Sequence, residues 1–391
     1  MGEKQRAELV VVGAGIIGLA IAWRASERGL GVTVLERDTV GSGASHVAAG
    51  MLAPVAEVEF GEAGRRLLGL GLRSADLWPA FAQELEAAAG LDVGLMRTGT
   101  LLVARDADEA RELERQLTFR ESLGLRVERL RPSEAREREP ALAPTVRLAL
   151  HAPDDHSVDP RLALAALRQA CLSAGVELRE RTAVSRIELE ADRVAAVTLA
   201  GGERLPARTV VVAAGSWSER VAGLADEARV PVRPVKGQIL RLRDPGGPGL
   251  LGRAIRFEGG YVVPRADGRY VLGGTVEERG FEPLPTVGGV YEMLRNAGEL
   301  VPGISELEIE ELSVGFRPGT PDNGPAVGPG AVDGLLWATG HYRNGILLAP
   351  LTAEIVVALL KGEQPAAELL AACDPGRFAA ARERPPLGAS R

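Results

Sequence analysis

The sequence predicts an α/β protein: a discontinuous Rossmann-like domain into which a mixed α+β domain is inserted. Three observations lead there. A short β-branched run, Leu9-Val-Val-Val12, passes through a glycine-rich turn into a helical stretch and then into a second apolar run, the βαβ pattern of a parallel sheet. Runs of the same buried type return in mid-chain at Arg208–Ala213 and near the end at Leu335–Thr339. The segments between them differ in character, being either helical and rich in Leu, Ala, Arg and Glu, or alternating and strand-like.

The elements follow in order. Gly13-Ala-Gly15-Ile-Ile-Gly18 opens a helix that Gly29 closes, and Gly31–Glu36 reads as the second strand. Glu62–Ala89 and Asp106–Glu121 read as helices. Arg131-Pro-Ser-Glu134 marks a further helix start with Ser133 as its cap, and Asp159-Pro160 marks another, leading an amphipathic Arg161–Ser173. Val176–Leu178 is a strand, after which Val184–Leu189, Arg193–Leu199 and Glu203–Leu205 form a small antiparallel meander turning at Gly201-Gly202. From Val230 to Val276 the chain is strand-like, and Asp267-Gly268 joins Tyr261–Pro264 to Tyr270–Gly273 as a hairpin. A last helix runs from about Pro350 to Leu360, and Arg382–Arg391 reads as a loose tail.

Composition narrows the function. A chain of 391 residues exceeds one ordinary core, so two domains are expected, and its 46% hydrophobic and 25% charged residues suit a globular protein. The net charge of −7 excludes a dedicated nucleic-acid binder, which needs a basic surface. Cys171 and Cys373 make neither a disulfide framework nor a zinc site, and they fit a reducing, cytoplasmic location. His46, His151, His156 and His341 have no metal-ligand spacing, so no metal is expected. Leu9–Trp23 is too short and too glycine-broken for a membrane span, and none is expected elsewhere.

The glycine motif carries the first chemical inference. Gly13 permits a tight turn, Gly15 lets backbone amides approach a pyrophosphate, and Gly18 lets the helix lie close on the sheet. The helix N-terminus favours phosphate charge, and Glu36 can accept from ribose hydroxyls. This fingerprint suits NAD and FAD alike. The small-residue run from Arg37 through Gly41, Ala44, Ser45, Ala49 and Gly50 to Met51 allows close backbone contact with a bulky ligand.

That run, with Val210–Trp217, Gly315-Phe-Arg317-Pro-Gly-Thr-Pro-Asp322 and Thr339–Ile346, resembles the D-amino acid oxidase family of FAD-dependent flavoproteins. Ala48–Pro54, Tyr261–Arg265 and Gly340–Ile346 resemble its glycine oxidase branch most. The resemblance covers nearly the whole chain and implies an FAD-binding domain of residues 1–61, 152–226 and 322–391, with a substrate domain of 62–151 and 227–321. It implies FAD contacts from Gly13, Gly15, Ile16, Ile17, Gly18, Glu36, Arg37, Ala44, Ser45, Ala49, Gly50, Met51, Val184, Ala214, Gly215, Trp217, His341, Arg343, Asn344, Gly345 and Ile346. Arg317 is implied as the clamp on a substrate carboxylate, a role that suits a planar guanidinium. Arg343, Tyr261 and Met51 complete the implied active site.

The expected reaction is oxidation of the amine of a small amino acid, with O2 as acceptor. In this family the imine formed can also serve thiamine thiazole synthesis. Gly259 and Val276 stand where glycine oxidases can carry His and Met, which leaves glycine, sarcosine and small D-amino acids as alternatives. A dehydrogenase with another acceptor and a flavin-binding scaffold without turnover also remain open, as does homo-oligomerisation. No cysteine lies near Gly340–Ile346, so the flavin is expected to be non-covalent.

Overall fold

The computed structural model describes residues 7–378, and the tail expected at Arg382–Arg391 lies outside them. The chain folds into two compact units. Of the described residues, the first comprises 7–43, Leu164–Pro234 and 317–378; the second comprises Ala44–Ala163 and Val235–Phe316. Segments 44–61 and 152–163 therefore pack within the second unit.

The first unit is a Rossmann-like layer. Its sheet runs in the order Ala326–Pro329, Leu335–Thr339, Arg204–Val212, Ala7–Val12, Val32–Leu35, Glu177–Arg179. Ala7–Val12 pairs in parallel with both neighbours, and Leu335–Thr339 continues the parallel pairing on Arg204–Val212. Val10 and Val11 are fully buried, as a strand covered on both faces requires. The helix Ile16–Glu27 follows the first strand as the fingerprint predicts.

Glu203–Leu205 and Arg208–Ala213 are not two strands but one, Arg204–Val212. Its first half pairs antiparallel with Arg193–Leu199, and its second half pairs in parallel with Ala7–Val12. Pro206 sits within the antiparallel ladder, opposite Ala196.

The second unit is a mixed α+β body around a sheet ordered Glu308–Gly319, Arg233–Arg243, Arg269–Gly273, Gly260–Pro264, Ala254–Phe257, Thr100–Ala104, Leu148–Ala152, Glu128–Leu130. Ala254–Phe257 pairs in parallel with Thr100–Ala104, and the ladders from Arg233–Arg243 to Ala254–Phe257 on one side and from Thr100–Ala104 to Glu128–Leu130 on the other are antiparallel. Leu101, Ile255, Val262 and Leu272 form the centre of its core. Helix Val287–Leu300 packs there through Met293, Ala297 and Leu300. Gly288 and Gly289 in its first turn weaken its sequence signal, but Thr286 caps it by accepting from the Gly289 amide at 3.2 Å.

Ser133 is not a cap. The helix Pro132–Arg138 starts two residues earlier, with Arg131 at the N-cap and Pro132 in the first turn. Proline has no amide to satisfy and its φ is already helical. Glu134 reaches back to accept from the Arg131 amide at 2.7 Å.

Candidate functional site

In the first unit the glycine turn is shaped by crowding. Gly13 has a φ of +105°, and a Cβ there would lie 2.6 Å from the Ala213 carbonyl oxygen. A Cβ on Gly18 would lie 2.0 Å from the Gly13 oxygen, so the helix cannot rest this close to the turn with any other residue. Gly15 is the N-cap, with no side-chain capping bond and no acidic residue in the first turn. Ile16 and Ile17 bury their side chains, which leaves only their backbone to face a ligand. With no acid in its first turn, the positive end of the helix favours an anion in charge.

Glu36 has a structural task here that the motif alone does not reveal. Its carboxylate accepts from the Ala14 amide at 2.8 Å and from the Asp38 amide at 3.0 Å, pinning the glycine turn to the end of the second strand. A carboxylate has about four acceptor positions, so capacity for ribose hydroxyls remains. Arg37 lies over the Trp217 ring at 3.7 Å, joining two residues separated widely in sequence. The Gly41 amide bonds the Ala14 carbonyl at 2.9 Å, bringing the start of the small-residue run back to the turn. A glycine cradle, an uncapped helix end and a carboxylate with spare acceptors fit the adenosine and pyrophosphate of FAD.

The remaining candidates of this unit are tied to one another. Thr339 Oγ1 lies 2.7 Å from Ser218 Oγ and donates to the Gly215 carbonyl at 3.2 Å, joining the turn carrying Ala214, Gly215 and Trp217 to the loop that begins at Gly340. In that loop Asn344 bonds back to His341, and the Tyr342 amide donates to Pro318 beside Arg317 at 3.0 Å. The turn after Arg317 is braced in turn. Thr320 donates to the Gly324 carbonyl at 2.7 Å, and Arg377 holds Asp322 at 3.0 Å. Burial works against ionisation of Asp322, yet the bond to Arg377 and the Gly324 amide hold its carboxyl down at about 2. Val184 begins the strand Val184–Glu190, half-buried and packed against a core cluster of the first unit that includes Ile187 and Val197.

His341 is fully enclosed, with Nε2 2.9 Å from Thr352 Oγ1, and burial pushes its pKa down to about 3. Its ring is neutral and faces Thr352, so any contact it makes with a cofactor comes from its backbone. Cys171 and Cys373 are both buried, and burial pushes their thiols up to about 12 and about 11.

In the second unit the structure brings together Ala49, Met51 and Tyr261. All three pack in one cluster with Ile239, Ala254, Val263 and Val271. Ala44 and Ser45 begin a short helical turn, Ala44–Val47, and Gly50 follows with a φ of +82°. A Cβ on Gly50 would lie 2.0 Å from the Val158 oxygen. Met51–Leu52 pairs antiparallel with His156–Ser157. Gly273 leaves room for the Tyr261 hydroxyl, which would sit 2.4 Å from a Cβ there. Gly259 has a φ of +83° in a tight turn, so glycine has a backbone reason for standing there, and Val276 is exposed.

Charged side chains that sequence reading did not single out hold this segment. The Arg241 guanidinium donates to the His46 carbonyl at 2.7 Å, Arg161 donates to the same oxygen at 3.2 Å, and Arg265 donates to the Ala49 carbonyl at 2.6 Å. Asp159 faces Arg265 and Arg269 at 3.4 and 3.2 Å, and Glu311 takes both oxygens to Arg161 at 2.8 Å. Further along, Arg120 donates to the carbonyls of Val55 and Ala56 at 2.9 Å, while Asp155 accepts from both their amides. An arginine on a helix or strand gives no sequence signal of burial; only the tertiary contacts do.

Among the described residues no group of His, Cys, Asp and Glu is arranged to hold a metal ion, and no helix is long and apolar enough to cross a membrane.

The family model described as DAO, FAD dependent oxidoreductase, matches residues 8–359. Glycine oxidase of Geobacillus kaustophilus is 37% identical over 366 residues, covering 93% of this chain and 95% of that protein. The bifunctional protein ThiO/ThiG of Synechocystis is 37% identical over 385 residues, and this chain spans about half of it, 55%. The crystal structure of the Geobacillus enzyme superposes with a TM-score of 0.86 at 36% identity, covering 93% of this chain and 98% of that one.

Proposed function

The chain belongs to the DAO family of FAD-dependent oxidoreductases, and from that premise we propose that it oxidises the amine of glycine, with sarcosine and small D-amino acids as further substrates. The observation that carries this reading is the similarity to glycine oxidase along nine-tenths of both chains. FAD, when bound, accepts the two electrons and the Cα hydrogen and passes the electrons to O2. The balance is glycine, water and O2 to glyoxylate, ammonia and H2O2, by way of the free imine. Similarity to the ThiO half of the bifunctional relatives supports thiamine thiazole synthesis as a use of that imine.

The protein's own part is to bind and orient the substrate. Arg317 holds its carboxylate with a bidentate fork, and the braced turn from Pro318 to Gly324 keeps that guanidinium's backbone in place. By the family resemblance Arg343 is a second active-site arginine, Tyr261 a candidate contact to the carboxylate, and Met51 a residue on the flavin or substrate side. His341 takes no proton, because its ring stays neutral and is bonded to Thr352.

An amine panel tests the substrate. Glycine, sarcosine and D-alanine should bleach the flavin anaerobically and L-alanine should not; colour should return in air with peroxide. Bleaching by L-alanine alone would overturn the substrate assignment, and slow return in air would indicate another acceptor. Acid should release the flavin, since both thiols are buried. Glycine offers little apolar surface, so loss of a charge-assisted pair of about 2–5 kcal/mol should dominate. Arg317→Ala should therefore lower kcat/KM on the order of 30-fold to several thousandfold with flavin retained, and Arg317→Lys should recover part. Full activity with retained flavin in Arg317→Ala would move the clamp elsewhere.

A further inference from the structure

We propose that Arg37 and Trp217 form a clasp across the carboxyl end of the strand Ala7–Val12 that retains the pyrophosphate half of FAD in the glycine turn. The inference rests on the reading of that turn as the seat of the pyrophosphate. It adds two side chains, both within the first unit, that slow release.

Strand order brings the pair there. Ala7–Val12 lies between Val32–Leu35 and Arg204–Val212 and runs parallel to both, with Val12 level with Leu35 on one side and Val212 on the other. The three carboxyl ends therefore share one edge. On one side the chain leads through the helix Ile16–Glu27 straight to Val32–Leu35, while the other neighbour comes from far along the chain. Such an edge is a topological switch point, where open α/β sheets take their ligands. Adjacent strands lie about 4.8 Å apart, so the outer two are about 10 Å from each other. The Arg37 guanidinium nevertheless stands 3.7 Å from the centre of the Trp217 ring. The two side chains thus reach across the end of the middle strand, where Gly13 begins the turn.

Each loop is already held on its own side. Near Arg37, the Asp38 amide donates to Glu36 at 3.0 Å, and the Asp38 carbonyl accepts from the Arg181 amide at 2.8 Å. Near Trp217, its own amide donates to the Ala214 carbonyl at 3.0 Å, and Thr339 ties down Ser218 and Gly215. What the stack adds is a link between the two sides. Arg37 is exposed and Trp217 half-buried, so the link can part and re-form, as a ligand that enters and leaves requires. A guanidinium over an indole face gains strength as water is excluded, so an occupied crevice tightens the clasp.

Release of FAD from the holoenzyme tests the clasp, followed as the rise in flavin fluorescence after dilution into excess ADP, which carries the same pyrophosphate half. Arg37→Gln and Trp217→Leu should each speed release about threefold to tenfold, with the melting temperature of the flavin-free protein unchanged. Arg37→Lys should restore part, since an ammonium also attracts a ring face. The double variant should release FAD no faster than the single ones, because either change removes the same link. Arg193→Gln breaks an exposed ion pair with Asp333 in the same unit and should leave release unchanged. Additive effects in the double variant would show that the two residues act on FAD separately, which overturns the clasp. Parental or slower release in the single variants overturns it as well, and equal acceleration in Arg193→Gln makes the effect general and rejects it. If ADP does not compete with FAD for the parental protein, the seat assigned to the pyrophosphate falls, and the clasp with it.

Discussion

The glycine turn at residues 13–18 and the segment at residues 46–56 are both fixed through their main chain, but they are held in opposite ways. The first is held by what is missing. Absent side chains at Gly13 and Gly18 let main chain approach main chain, and one nearby carboxylate, Glu36, pins the result. The second is held by what is added. Long side chains from distant strands and helices reach in, with Arg241 and Arg265 on its early carbonyls and Arg120 and Asp155 on Val55 and Ala56. A crowded turn is rigid because no alternative fits. A charge-held segment is rigid only while its charges are paired, so it should respond to pH and to loss of one partner.

The largest effect should come from the turn. Gly18→Ala puts a methyl 2.0 Å from the Gly13 oxygen, where neither main chain can yield. Overpacking of this kind costs about 3 kcal/mol or more, and the protein should be isolated without flavin or not at all. Isolation of a yellow Gly18→Ala protein of parental melting temperature would break the first half of the contrast.

Arg120→Met should come next. It keeps much of the volume, but the Val55 and Ala56 carbonyls lose their donor and buried Asp155 loses its nearby cation. Removing one member of a buried charged set costs about 3–5 kcal/mol, measurable by urea unfolding. A loss below about 1 kcal/mol would place the support of this segment in packing rather than charge.

Asp155→Asn gives the smallest effect and the sharpest contrast. Burial pushes Asp155 up to about 7, well above its ordinary 3.8, the Ala56 and Val55 amides pulling the other way. A folded pKa above the unfolded one means that the folded state binds the extra proton. The contribution is complete below about pH 4 and is lost as pH rises through about 7. Parental stability should therefore carry a component that declines over this window and is absent in Asp155→Asn. Identical pH profiles for the two proteins would show that Asp155 is ionised throughout.

Several parts of the molecule were legible from local sequence. The βαβ entry, the helix Glu62–Ala89 and the Asp267-Gly268 hairpin each follow from periodicity or turn chemistry confined to a few adjacent residues. The fingerprint was equally local, since its glycines answer a steric demand among neighbours. Where a local rule met competing information it failed in a physically intelligible way. Glu203–Leu205 and Arg208–Ala213 read as two strands, yet Arg204–Val212 is continuous because it changes partners along its length. Ser133 looked like a cap, but Pro132 had already set the helical φ.

The sequence by itself determined the alternation of buried strands and helices, the glycine turn and Glu36, because each depends on residues within one supersecondary unit. Only the tertiary structure decided which of the many arginines are buried and what they hold. Nothing near Arg120, Arg241 or Arg265 in the chain distinguishes them from arginines on the surface. Their role arises from carbonyls 64, 195 and 216 positions away, and a guanidinium acquires that role only when the fold removes it from water and leaves those oxygens as its partners.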